Sequence, residues 1–118
     1  MDRPHVMIVL ARCSRKSGAF GIRFEEHVHG HWEADWAFAI QEKAAKREGY
    51  DRGKISGKFG FANAYPGCPH CHARCIFQCA CGKAACWDGD SKTVVCPWCE
   101  HKIALQGEIE SLDAGTDR

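Results

Sequence analysis

Residues 67–100, GCPHCHARCIFQCACGKAACWDGDSKTVVCPWCE, constrain this chain more than any other stretch, because of its nine cysteines all but Cys13 lie here. The stretch opens with Cys68-Pro69-His70-Cys71 and closes with Cys96-Pro97-Trp98-Cys99. A Cys-x-x-Cys turn places two sulfurs and several backbone N–H groups around one point. Two such turns, brought together by a β-hairpin, complete a tetrahedron of thiolates. Cys68, Cys71, Cys96 and Cys99 are therefore expected to form a structural zinc site. Disulfides or unliganded core thiols account for the doubled spacing less well.

Three more thiols, Cys79, Cys81 and Cys86, exceed what one tetrahedral ion takes. A second zinc needs a fourth ligand, and Cys13, His70, His72 and His101 are the candidates. With Cys75 as the spare thiol, Cys79, Cys81, Cys86 and Cys13 make a second four-cysteine site, tying the first hairpin to the cysteine lobe. Two readings stay open beside it. The thiols pack as small hydrophobes, or the pairing is shuffled, with Cys68 and Cys71 meeting Cys81 and Cys86. Cofactor expectations are thus one zinc ion, and a second if the additional thiols converge.

The rest of the chain reads as strands. Residues 5–13, HVMIVLARC, are a β-branched apolar run, and Phe20, Ile22 and Phe24 alternate with polar residues over 19–27, so the two form a hairpin. His27, His29 and His31 at spacing two suggest a metal, but His27 and His29 continue the outward face and Gly30 is the turn, so a solvent-exposed hairpin tip is expected ahead of a ligand or contact role. In residues 32–40, Trp32, Ala34, Trp36, Phe38 and Ile40 share one face, which puts two tryptophans in the core. Residues 41–49 switch to helix formers ending in Gly49, and Tyr50–Gly53 reads as a turn. Residues 54–62 carry Ile55, Phe59 and Phe61 in strand period, with Gly57 and Gly60 marking a bulge or close packing. Short strands at 73–80, 83–88 and 92–96 and a final one at 103–109 surround the cysteines, and Asp88–Ser91 is a tight turn.

The fold class expected is mainly β: an N-terminal antiparallel sheet over 1–66 with one short helix at 41–49, a zinc-ribbon-like lobe over 67–110, and a polar tail over 111–118 that frays. The lobe has too little core to fold without metal.

Charge narrows the partners. The net charge is +1, and in the cysteine lobe Arg74, Lys83, Lys92 and Lys102 are offset by Asp88, Asp90 and Glu100. That argues against bulk nucleic acid or an anionic membrane as the main partner. The basic turn at Arg12, Arg15 and Lys16 is read as a solvated loop. No apolar run approaches about 18 residues, and the first residues lack a signal-peptide core. Knuckle spacing without an export signal fits a reducing cytoplasm. No catalytic constellation is apparent, since all-thiolate zinc sites leave no position for a reacting water.

The run Tyr65-Pro66-Gly67-Cys68-Pro69-His70-Cys71, followed by Cys79-x-Cys81-Gly82-Lys83, Cys86-Trp87-Asp88-Gly89 and Cys96-Pro97-Trp98-Cys99, resembles the TerY-C metal-binding domain. That domain ends TerY proteins, which carry a von Willebrand A domain and are linked with bacterial tellurite-resistance and stress clusters. Trp32–Ile40, Arg47–Asp51 and Ile55-Ser56-Gly57 extend the likeness across residues 6–110. The resemblance implies metal ligation by Cys68, Cys71, Cys79, Cys81, Cys86, Cys96 and Cys99. It also implies partnership with a von Willebrand A domain protein or an associated kinase and phosphatase. The function expected is a zinc-stabilised, non-catalytic protein-interaction module of a stress-response system. Two alternatives accompany it: a ribbon binding single-stranded nucleic acid, with Trp87 or Trp98 stacking bases, and thiol capture of a soft oxidant such as tellurite.

Overall fold

The computed structural model describes residues 5–47, 49, 53–105, 109 and 111–116. Strands β1 (His5–Arg12), β2 (Ala19–Val28) and β3 (His31–Ala39) form an antiparallel meander. The helix α1 (Glu42–Arg47) follows, and Gly49 beyond it takes a positive φ of 77°. Next come β4 (Gly53–Ser56) and β5 (Lys58–Phe61), then β6 (Cys75–Gln78), β7 (Ala84–Trp87), β8 (Thr93–Val95), β9 (Lys102–Ala104) and β10 (Ser111–Thr116). The mainly β class with one short helix is the architecture observed.

The main sheet runs β4-β10-β1-β2-β3-β5. Its first and last strands are consecutive in sequence, separated by Gly57 alone, so the sheet closes on itself. Residues 54–62 are thus one strand broken in the middle, its first half bonded to β10 and its second to β3. Gly57 has φ 134°, and a Cβ there would sit 2.1 Å from the Gly30 carbonyl oxygen, so only glycine fits. The Lys58 N–H donates to that oxygen at 2.8 Å, and Trp32 Nε1–H donates to the Ser56 carbonyl at 3.1 Å. The histidine tip is pinned to the break in this way, while His27 and His29 themselves face solvent.

Inside the closed sheet lie Val9, Phe20, Ile22, Phe24, Trp32, Ala34, Ala37, Ile55 and Leu112. The expected face of β3 holds only for its first half. Arg23 pairs with Trp36 but Phe24 pairs with Ala34, so Asp35 is an extra residue that rotates the strand. Beyond it Ala37 points inward and Trp36 is 54 % exposed, so the two tryptophans do not share the core. Asp35 forms an ion pair with Arg23 across the bulge. Burial raises the Asp35 carboxyl above its ordinary value, with Arg23 pulling the other way.

Two expectations about the C-terminal half are corrected. Residues 111–116 of the expected polar tail form β10, between β4 and β1, with Leu112 and Ala114 buried. A boundary at residue 66 does not interrupt the sheet either: β7 pairs in parallel with the end of β1, Ala11 opposite Ala84 and Arg12 opposite Ala85. β10 covers Met7–Val9 on one edge of β1, and β7 takes up Ala11 and Arg12. The final strand expected over 103–109 is β9, ending at Ala104; residues 106–108, like 50–52 of the expected turn, lie outside the described residues. Strands β8 and β9 form a separate two-stranded sheet. Beneath it a second small core gathers Phe77, Cys79, Ala85 and Cys96, flanked by Trp87, Trp98 and Ile103.

Candidate metal centres

Eight cysteines sort into two groups of four. Cys13, Cys68, Cys71 and Cys86 form the first, and Cys79, Cys81, Cys96 and Cys99 the second; within each, all sulfurs lie within 4.8 Å of one another. In the first, Cys71 and Cys86 are 3.5 Å apart and Cys86 and Cys13 3.8 Å. In the second, Cys79 and Cys99 are 3.5 Å apart and Cys81 and Cys96 3.8 Å. A metal held by four thiolates at about 2.3 Å needs sulfur–sulfur edges of about 3.8 Å, so both groups fit a tetrahedral thiophilic ion. All nine cysteines are free thiols.

The grouping corrects the expected pairing. Cys68 and Cys71 do not meet Cys96 and Cys99, because the β6–β7 hairpin stands between the knuckles and serves both. Its turn presents Cys79 and Cys81 to the second knuckle. The other end of the hairpin, where Ile76 pairs with Cys86, presents Cys86 to the first. Since β7 also pairs with β1, Cys86 arrives beside Cys13, just past the end of β1. Cys79 and Cys81 therefore do not join Cys13 and Cys86 as expected; of the shuffled alternative, which put Cys81 and Cys86 with Cys68 and Cys71, the structure shows Cys86 with the first knuckle and Cys81 with the second. Cys75 belongs to neither group. Neither do His70, His72 and His101: His70 Nε2 lies 3.0 Å from the Ala19 carbonyl oxygen, and the other two are exposed.

Three loops share one backbone geometry. In the first knuckle, the Cys68 N–H donates to the Ala73 carbonyl and the His72 N–H to the Cys68 carbonyl, both at 2.8 Å. In the second, the Cys96 N–H donates to His101 at 3.0 Å and the Glu100 N–H to Cys96 at 2.8 Å. Cys13-Ser14-Arg15-Lys16-Ser17-Gly18 repeats the pattern, Cys13 N–H to Gly18 and Ser17 N–H to Cys13, both at 2.8 Å. The fifth residue of each loop is left-handed: His72 at φ 68°, Glu100 at 65° and Ser17 at 59°. The Cys13 loop is a knuckle with Lys16 where the second cysteine would stand. That spacing is silent to a Cys-x-x-Cys search, which is why Cys13 is a weak signal in the sequence.

Backbone N–H groups point at the sulfurs, as a thiolate requires. Lys16 N–H donates to Cys13 Sγ at 3.3 Å, Ser14 N–H to Cys86 Sγ at 3.2 Å and His70 N–H to Cys68 Sγ at 3.4 Å. Without metal, burial pushes Cys68, Cys86 and Cys96 up, and Cys79 up to about 12. At Cys13 burial also raises the thiol, but the N–H groups of Lys16 and Arg15 prevail and the net shift is downward. The His101 N–H leads in bringing Cys99 down to about 6. Thiols held up by burial beside partners held down are groups that a cation would relieve of their protons.

Residues 55–118 match the TerY-C metal binding domain. The chain belongs to this family. The matched stretch covers seven of the eight clustered cysteines; Cys13 comes from outside it. No curated protein and no solved structure matches the chain. In this TerY-C domain the two clusters are thus one knuckle plus two strand-delivered thiols in the first case, and one knuckle plus a hairpin turn in the second.

Proposed function

We propose that the chain binds two zinc ions as structural centres and serves as a non-catalytic protein-interaction module of a bacterial stress-response or tellurite-resistance system, in a reducing cytoplasm. The observation that supports the metal reading is the sorting of eight thiols into two groups of four. Zinc is the ion suited to four thiolates in a redox-neutral structural role. When bound it supplies cross-links among β1, the β6–β7 hairpin and the β8–β9 arm. Four thiolates fill its coordination sphere and leave no position for a reacting water.

The nucleic-acid alternative is weaker. Trp98 is covered by the Arg12 guanidinium, 4.1 Å from its ring centroid, and its N–H donates to the Ala84 carbonyl. Trp87 donates to the Ser91 carbonyl and is half-buried. Neither ring is an open stacking platform. The partner we propose is a von Willebrand A domain protein or a kinase or phosphatase of the same system.

Metal content tests the reading. Protein purified without added metal is expected to hold two zinc ions and to show one fast-reacting thiol, Cys75. One zinc with several fast-reacting thiols overturns it and favours thiol chemistry. Co-purification with a von Willebrand A domain protein, abolished by chelation, tests the partner.

A further inference from the structure

The two centres differ in how they are anchored. The ligands of the first all belong to, or abut, the closed sheet: Cys13 follows β1, Cys86 lies in β7, and the first knuckle packs on the main core. Cys13, Cys68 and Cys86 are fully or almost fully buried, Cys71 is half-buried, and none of the four is exposed. The second centre takes Cys96 and Cys99 from the β8–β9 arm, which among the described residues shares no strand pairing with the main sheet. Its Cys81 is exposed at the tip of the β6–β7 turn, and Cys99 is half-buried.

Two side chains tie that arm to the closed sheet: Trp98, whose indole N–H donates to the Ala84 carbonyl of β7 at 2.8 Å, and Arg12. Arg12, the last residue of β1 and the neighbour of Cys13, donates from Nη1 to the Pro97 carbonyl at 3.0 Å. Its guanidinium lies over the Trp98 ring, and Nη2 donates to Glu42 of α1 at 2.8 Å. Pro97 and Trp98 are the two residues between the cysteines of the second knuckle. A planar guanidinium can stack and donate at once, which an ammonium cannot.

We infer that the centres are unequal: the first retains its metal as long as the sheet is folded, the second exchanges its metal, and Arg12 is the positioning residue that sets the exchange rate. This rests on the two-zinc reading. An exposed sulfur gives a chelator or incoming ion a first point of attack, and opening the arm breaks the contacts of Arg12 and Trp98 without breaking the barrel.

The test is release of zinc from the loaded full chain to the chelator 4-(2-pyridylazo)resorcinol, with iodoacetamide labelling mapped by mass spectrometry. A starting count of two zinc ions is expected. Release should then occur in two phases of one equivalent each. Cys81 and Cys99 should be labelled in the fast phase and Cys13, Cys68 and Cys86 only in the slow one. Arg12→Ala should accelerate the fast phase on the order of tenfold, as loss of a cation–π contact and a charged hydrogen bond implies, and leave the slow phase unchanged. Arg12→Lys, which keeps charge and stem, should fall between and serves if the alanine variant does not fold. Release in a single phase, early labelling of Cys13 or Cys68, or an unchanged fast phase in both variants overturns the inference. A starting count below two overturns the two-zinc reading itself, and this inference with it.

Discussion

The sulfurs of Cys13 and Cys86 lie 3.8 Å apart although 73 positions separate them in the chain. Cys13 belongs to the first hairpin and Cys86 to the cysteine-rich segment, so a metal between them joins the two halves of the molecule. The Ser14 hydroxyl, donating to the Cys86 carbonyl at 2.9 Å, fastens the same junction.

Cys13→Ser should therefore remove one metal equivalent and destabilise the whole chain. The expected cost is about 3 kcal/mol or more, or ~10 °C in Tm, because a structural metal contributes folding energy directly. Cys75→Ser should keep both metals and change Tm by little. Metal analysis and thermal melts of the two variants decide the point; equal metal content in both would remove Cys13 from the ligand set.

How much of this was legible follows from what each signal depends on. The meander β1–β2–β3 could be read because its alternation is local. The change of face at Asp35 could not, since a bulge depends on the partner strand's register. The strand β10 was hidden because Leu112 is the one large apolar residue in Ser-Leu-Asp-Ala-Gly-Thr, too few to show a period. Among the cysteines, the knuckle spacing marked thiols that the fold gathers in fours, but which thiols come together is a property of topology. Nothing in the order of the residues shows that β7 runs beside β1. Cys13 could have been found from its loop: Ser17-Gly18 closes a six-residue turn of the same shape as the knuckles, without the second cysteine.

The left-handed residues of the two knuckles offer a gain in stability. His72 and Glu100 are exposed and adopt φ 68° and 65°, a region that costs an ordinary L-residue about 1–2 kcal/mol. Glycine relieves that strain and gives back part of it as unfolded-state entropy. His72→Gly and Glu100→Gly should each stabilise by about 0.5–1 kcal/mol with metal content unchanged. Chemical denaturation at fixed zinc concentration measures this, and a loss of stability would show that these side chains make contributions beyond backbone shape.

Closure of the sheet depends on Gly57. A methyl group there would strike the Gly30 carbonyl, whereas one at Gly60 would meet nothing within 4 Å. Gly57→Ala should destabilise by about 2 kcal/mol or more, and Gly60→Ala by less than about 1 kcal/mol. Hydrogen exchange adds a positional readout: Lys58 and the Trp32 indole N–H should lose protection in the first variant and keep it in the second.

Tyr65 makes the stability of the fold depend on pH at the alkaline end. The side chain is buried, its ring lies 5.0 Å from that of Phe61, and its hydroxyl has no hydrogen-bond partner among the described residues. Burial, helped by the neighbouring cysteine sulfurs, raises its pKa above the ordinary phenol value. In the unfolded chain the phenol ionises near its usual pKa of about 10, while in the folded chain it stays protonated. The unfolded state alone gains from ionisation as pH rises through about 10, so the contribution of Tyr65 is intact below that pH and is lost above it. Tyr65→Phe should be neutral or stabilising by up to about 1 kcal/mol at pH 7, since it removes an unpaired buried hydroxyl. It should also flatten the fall in stability above pH 10. Denaturation curves of both proteins between pH 8 and 11 measure the slope directly, and parallel slopes would mean that the Tyr65 hydroxyl has a partner and ionises in place.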